Sequence, residues 1–230
     1  MVFGGLQKLT LLDYPDKVAC TLFTVGCNYR CHFCHNTSLV CPDENTQIIE
    51  EREILQFLKT RQGFLDGVCI SGGEPLMHSE IDSFIHEVKM LGFLIKIDTN
   101  GGYPHRLKSL VASGAIDYVA MDIKNTPEKY ANTIGVSGYD TGSIQESVAF
   151  LLSDVIPCEF RTTVVQELHS HDDLVSIARW IFGAKKYYLQ RFIDSDNVLQ
   201  SGLHGYSISE MRKLLDDVRK VLPSAELRET

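Results

Sequence analysis

Near its amino terminus the chain reads GCNYRCHFCHN, which puts Cys27, Cys31 and Cys34 within eight residues and His35 directly after the last of them. Clustered thiols are donors for soft metals, and the spacing C-x-x-x-C-x-x-C suits two kinds of centre. A four-iron cubane takes one thiolate at each of three corners and leaves its fourth iron free for an outside ligand. A zinc knuckle takes the same three and closes its shell with His32, His35 or Cys41. The spacing leaves both open, although no second C-x-x-C follows at zinc-ribbon distance.

Three further motifs carry polar residues behind apolar runs. SGGEP sets Gly72, Gly73 and Glu74 where backbone can approach a small ligand closely and a carboxylate can face a cation, yet the same letters also make an ordinary turn. DTNG, which holds Asp98 and Asn100, is likewise rich in turn formers. MDIK places Asp122 and Lys124 two residues apart, hence on one face of a strand, either as a simple salt bridge or as part of a site. His169 and His171 open a helical pattern and read as caps or solvated residues. Cys20, Cys69 and Cys158 fall inside strand patterns, where a free thiol packs as a small hydrophobe. Gly-x-Ser-x-Gly, a Walker loop and His-Glu-x-x-His do not occur, so the usual hydrolase and nucleotide-phosphate motifs are missing.

These motifs need a frame, and the chain spells one out. From Lys17 onward, strand-length apolar runs alternate with amphipathic stretches: VACTLFTVG, GVCIS, FLIKID, DYVAMDI, CEFRTTVV and KYYLQRF, each followed by a helical pattern. Ile81, Phe84, Ile85, Val88 and Leu91 give one helical stripe, stopped by Gly92. Ile208, Met211, Leu214, Leu215, Val218 and Leu222 give the last. Six such units predict an α/β fold with parallel strands and right-handed crossovers, closed or open. The cysteine loop, SGGEP, DTNG and MDIK fall at or just after the carboxyl ends of the first four strands, the edge where parallel α/β folds bind ligands.

With that order of motifs the sequence resembles the radical S-adenosylmethionine enzymes: CNYRCHFC matches their cysteine signature, with Phe33 in the aromatic position, and GGEP stands at their second motif. The longer string GLQKLTLLDYPDKVACTLFTVGCNYRCHFCHN, with DTNG and MDIK, is similar to activating proteins of glycyl-radical enzymes, above all the short anaerobic ribonucleoside-triphosphate reductase activating proteins. The resemblance runs over residues 4 to 192. It implies a partial (βα)6 TIM-like barrel of parallel strands in a single domain over residues 1–230, with an N-terminal extension at 1–16, a core at 17–192 and a loop and C-terminal helix at 193–230. It also implies a [4Fe-4S] cluster on Cys27, Cys31 and Cys34, its open iron chelated by S-adenosylmethionine. Gly72, Gly73 and Glu74 would then meet the methionine amino group, and Phe33 would lie near the adenine. Asp98, Asn100, Asp122 and Lys124 would line the polar site, with Asp98 and Asp122 helping to hold a monovalent cation and Lys124 facing the carboxylate. The implied activity is reductive cleavage of S-adenosylmethionine and hydrogen abstraction from a backbone glycine of a partner enzyme, with a flavodoxin or ferredoxin as electron donor. In the pyruvate formate-lyase branch the sixth strand ends in a histidine; here it ends in Gln190, Arg191 and Phe192. Two alternatives are a radical enzyme acting on a small molecule, of the 7-deazaguanine synthase type, and a zinc-binding protein without catalysis.

Composition narrows the classes further. Twenty-two Lys and Arg against thirty Asp and Glu give a net charge of -8, which argues against a sequence-independent grip on nucleic acid. The opening MVFGGLQKLTLLDYPDKV lacks the basic and apolar regions of a secretion signal, and no apolar run is long enough to span a bilayer. The expectation is a cytoplasmic chain whose seven cysteines stay reduced.

Overall fold

The computed structural model describes residues 1–195 and 198–228. Its chain forms two compact units, Met1–Asn28 with Ser38–Ala120 and Tyr29–Thr37 with Met121–Thr230. The elements run β1 (Val2–Thr10), β2 (Ala19–Thr24), α1 (Thr37–Val40), β3 (Ile49–Glu50), α2 (Glu51–Lys59), β4 (Gly67–Gly72), α3 (Ile81–Met90), β5 (Leu94–Thr99) and α4 (Pro104–Ala112). After β6 (Tyr118–Asp122) come α5 (Pro127–Thr133), α6 (Gly142–Leu152), β7 (Cys158–Val164), α7 (His171–Trp180), β8 (Tyr187–Arg191), α8 (Ile208–Arg219) and β9 (Ala225–Arg228). All six expected strands form within two residues of their sequence bounds.

In the first unit the strand order is β3-β1-β2-β4-β5. The pairings β2 with β4 and β4 with β5 are parallel, whereas β1 pairs antiparallel with β2 and β3. Strand β2 is buried along nearly its whole length, as a parallel strand covered on both faces requires. Helix α3 buries Ile81, Phe84, Ile85 and Val88 and stops at Gly92, which takes a positive φ of 90° and donates its N–H to the Lys89 carbonyl. Residues 1–16, expected only as an extension, supply β1 and a core side chain, Phe3, which packs against Phe84 at 4.9 Å. Irregularities in the β1–β2 register between Phe3 and Gly5 and between Gln7 and Thr10 interrupt the alternation that marks a strand.

In the second unit β7 pairs parallel with β8, and β8 with β9. Strand β9 lay inside the segment read as loop and helix; its sequence AELR has weak strand character, and Arg228 fixes it by a forked pair to Glu159 at 2.9 and 3.2 Å. Helix α5, also unforeseen, starts on Pro127 and buries Tyr130. Helices α7 and α8 each begin with a reciprocal capping box, Ser170 with Asp173 and Ser207 with Glu210.

The cap of α7 is therefore Ser170 and neither histidine, and His169 is wholly buried, which corrects its reading as a cap or solvated residue. Its Nδ1 accepts from the Val165 N–H at 3.1 Å, which leaves Nε2 to donate to the Lys124 carbonyl at 2.8 Å. Burial pushes the His169 pKa down, since a second ring proton would be desolvated and would displace the Val165 bond. A neutral buried histidine contributes stability above the unfolded value of about 6.5, and the contribution is lost as the pH falls below it. In urea unfolding, His169→Gln is expected to cost about 1–3 kcal/mol at neutral pH. That difference from wild type should shrink toward pH 5; a gap that does not change with pH contradicts the assignment.

Candidate functional site

The cysteine loop leaves β2 at Gly26, whose φ of 94° turns the chain and whose N–H donates to the Leu39 carbonyl at 2.7 Å. Behind it lies the glycine pair. The Gly73 N–H donates to the Thr24 carbonyl at 3.0 Å and the Glu74 N–H to the Gly26 carbonyl at 2.9 Å. A Cβ on Gly73 would stand 1.7 Å from the Gly26 oxygen, and one on Gly72 would stand 2.3 Å from the Thr24 nitrogen. Both positions must be glycine because the end of β4 is pressed against the end of β2, at the root of the cysteine loop.

Glu74 is wholly buried, and its carboxylate accepts from three donors of this chain: the Leu76 N–H at 3.0 Å, the Thr99 hydroxyl at 2.8 Å and the Asn100 N–H at 2.7 Å. Asn100 passes the restraint on. Its amide donates to Asn28 Oδ1 at 2.8 Å and lies 3.8 Å from Cys27 Sγ, while its oxygen accepts from the Gly102 N–H. SGGEP, DTNG and the first cysteine thus form one bonded set within the first unit. Asp98, also on β5, is ion-paired with Lys96.

Within the second unit, Cys31 and Cys34 sit on a tight turn closed by the Cys34 N–H to the Cys31 carbonyl at 3.0 Å. Its stem is anchored by Tyr29, buried with its hydroxyl 2.5 Å from that of Tyr139, and by the Arg30 N–H donating to the Ile134 carbonyl. Gly135, at a φ of 66°, leaves room there: a Cβ would lie 2.5 Å from the Arg30 oxygen. Asp122 and Lys124 meet as the alternation predicted, Nζ to Oδ2 at 2.9 Å, and Arg161 Nε takes the other oxygen at 2.8 Å. Burial opposes ionisation of Asp122, but the charges of Arg161 and then Lys124 outweigh it and hold the carboxyl far below the usual carboxylate range. Burial also opposes the charge on Lys124, which Asp122 and then Cys31 restore and carry above the ordinary lysine value. The Lys124 ammonium stands 5.8 Å from the centre of the Phe33 ring, whose edge meets the His169 ring at 6.4 Å.

A cavity of about 440 Å³ opens among His35, Thr163, Gln190, Arg191, Ile193 and Ser195, around the ends of β7 and β8. His35 reaches Ser195 Oγ at 3.2 Å and packs 5.2 Å from Phe192, and burial lowers its pKa. Sequence reasoning missed Tyr29, Thr99 and Arg161. Only Arg161 left a signal, as the one cation within the strand pattern CEFRTTVV. No cysteine is in a disulfide; Cys20 and Cys69 are fully buried, Cys158 is half-buried with its thiol pushed up to about 11 by burial, and Cys41 is exposed. Among the described residues no three His, Cys, Asp or Glu side chains are gathered closely enough to cage a single metal ion, and no helix is long and apolar enough to cross a membrane.

Residues 21–181 match the Radical SAM superfamily model, and the chain belongs to that superfamily. The Methanocaldococcus jannaschii protein named "Putative glycyl-radical enzyme activating enzyme MJ1227" is 30% identical over 199 residues, covering 84% of this chain and 80% of its own. The Thermococcus kodakarensis protein named "Probable GTP 3',8-cyclase" is 29% identical over 160 residues, 67% of this chain and 50% of its own. The crystal structure of Streptococcus suis SuiB bound to S-adenosylmethionine superposes with a TM-score of 0.70 at 14% identity, over 90% of this chain and 48% of that one. This chain thus spans about half the length of that structure, and the likeness at such identity establishes the fold, an α/β architecture with mostly parallel strands. Membership of the superfamily implies a [4Fe-4S] cluster and S-adenosylmethionine. The donor set fits: three thiols on one loop, none in a disulfide, two of them partly exposed and one buried.

With a cluster on Cys27, the Asn100 amide at 3.8 Å would be a second-layer donor to the thiolate, and such donors raise a cluster's potential. Asn100→Ala is expected to shift the reconstituted cluster to a more negative potential in a redox titration followed by electron paramagnetic resonance, with the iron content unchanged. An unchanged potential contradicts the contact. Gly73→Ala should cost about 1–3 kcal/mol of unfolding free energy by overpacking.

Proposed function

We propose that the chain is the activating enzyme of a glycyl-radical partner, the anaerobic ribonucleoside-triphosphate reductase. The observation that carries the activase reading is the 30% identity to the M. jannaschii protein over most of both chains. The reductase as partner is supported by the resemblance of residues 4–36, with DTNG and MDIK, to that short branch of activating proteins, while Gln190 and Arg191, where the pyruvate formate-lyase branch has a histidine, speak against that branch.

Cys27, Cys31 and Cys34 would hold the cluster and leave a coordination place for S-adenosylmethionine. When bound, cluster and S-adenosylmethionine supply one-electron reductive cleavage of the C5′–S bond. The chain's own residues position and enclose. Glu74 holds the Gly72–Gly73 backbone and the DTNG turn against each other, so that carbonyls at the end of β4 are fixed toward the methionine amino group. Lys124, kept charged by Asp122 and steered by Arg161 across the same carboxylate, faces the methionine carboxylate. Phe33 offers an apolar face for the adenine. The reducing electron comes from a flavodoxin or ferredoxin, and the partner's glycine loop is presented at the carboxyl edge of the strands.

Two experiments test this. Cys31→Ala is expected to abolish the air-sensitive brown chromophore of the anaerobically reconstituted protein together with cleavage of S-adenosylmethionine; full cleavage in that variant contradicts the ligand set. Mixing the reduced protein and S-adenosylmethionine with the reductase should give a glycine radical in the electron paramagnetic resonance spectrum. Cleavage that leaves no glycine radical on any glycyl-radical protein, but turns over a nucleotide, would favour the small-molecule reading.

A further inference from the structure

The resemblance assigns Asp98 and Asp122 to a monovalent cation, and the residues present do not fit that group. Strand alternation puts Lys96 and Asp98 on the same face of β5, with Ile95 and Ile97 on the other. The Lys96 side chain is only 1% exposed, and its ammonium is ion-paired to Asp98 Oδ1 and lies 3.7 Å from Cys69 Sγ on the neighbouring strand, its register partner. A buried ammonium persists only with a counter-charge, and Asp98, itself 13% exposed, supplies it here. A sodium or potassium ion brought to Asp98 would stand beside a fixed positive charge in a region of low dielectric, where like charges repel strongly. Asp122, in its own unit, makes the same point separately: Arg161 occupies one carboxylate oxygen at 2.8 Å and Lys124 the other at 2.9 Å.

We propose that Lys96 is the built-in cation beside Asp98, a positioning residue that neutralises this carboxylate so that S-adenosylmethionine binds without sodium or potassium. The proposal rests on the reading of Asp98 as lining the S-adenosylmethionine site. Nothing in the sequence alone singles out this lysine, because KID reads as the polar half of an alternating strand.

The test uses the full chain with its cluster reconstituted, at constant ionic strength in the acetate salts of potassium, sodium and tetramethylammonium, the last too large to replace the other two at a carboxylate. Isothermal titration with S-adenosylmethionine is expected to give wild-type affinities that agree within about twofold in all three salts. Lys96→Met should bind about tenfold more weakly in tetramethylammonium and recover in potassium or sodium, a rescue that a merely structural role for the lysine would not produce. Wild-type binding that weakens about tenfold in tetramethylammonium overturns the proposal, as does a Lys96→Met protein with wild-type affinity in every salt. Thallium, a potassium surrogate, provides a measurement that needs no variant. Its nuclear magnetic resonance signal should show no saturable site on the wild-type protein, and a saturable site overturns the proposal. If wild type fails to bind S-adenosylmethionine in any salt, the reading of the chain as an S-adenosylmethionine enzyme falls, and the thallium titration still decides the role of Lys96.

Discussion

The buried carboxylate of Glu74 is the constraint on which the first half of the site depends. It is shut off from solvent, and it is held there by hydrogen bonds from Leu76, Thr99 and Asn100. Bonds to an ionised acceptor are shorter and stronger than neutral ones, and losing the acceptor would leave three buried donors unsatisfied. Through Thr99 and Asn100 the carboxylate fixes the end of β5, and through the Asn100 amide it reaches Asn28 and Cys27. The glycine pair before it allows the end of β4 to touch the end of β2. The motif SGGEP is therefore spent largely on bringing three strand ends together.

The second unit solves a different electrostatic problem with the same economy of charge. Asp122 is flanked by two cations, so the group of three carries one net positive charge. Lys124 is held at both ends, its ammonium by Asp122 and its carbonyl by the neutral ring of His169. Phe33 packs against the Lys124 ammonium and the His169 ring and belongs to the same turn as Cys31 and Cys34. The aromatic position in the cysteine signature is thus tied mechanically to Lys124, just past the end of β6.

The periodic elements were legible because their physics is local. The stripe on α3 and its stop at Gly92 follow from side-chain spacing, and the Asp122–Lys124 pair follows from alternation. What stayed hidden depended on contacts distant in sequence. β1 was obscured by its register irregularities, and β9 is defined by pairing with β8 and by the Arg228–Glu159 fork, which AELR alone does not announce. His169 looked like a helix-start histidine because its two partners, Val165 and Lys124, are backbone groups that no residue type reveals. Glu74 was legible as important but not as a brace, since its three donors come from a turn and a strand end 2 to 26 residues away. The cluster reading came from the order of motifs, which no single spacing could replace.

The central claim is that the three cysteines leave one iron open and that S-adenosylmethionine fills it. Mössbauer spectroscopy of the anaerobically reconstituted protein, recorded before and after addition of S-adenosylmethionine, tests this at the iron itself. The account predicts that one iron of the cluster changes its coordination signature on addition while the other three do not. A cluster whose irons all stay unchanged, or a colourless protein carrying stoichiometric zinc, would contradict it.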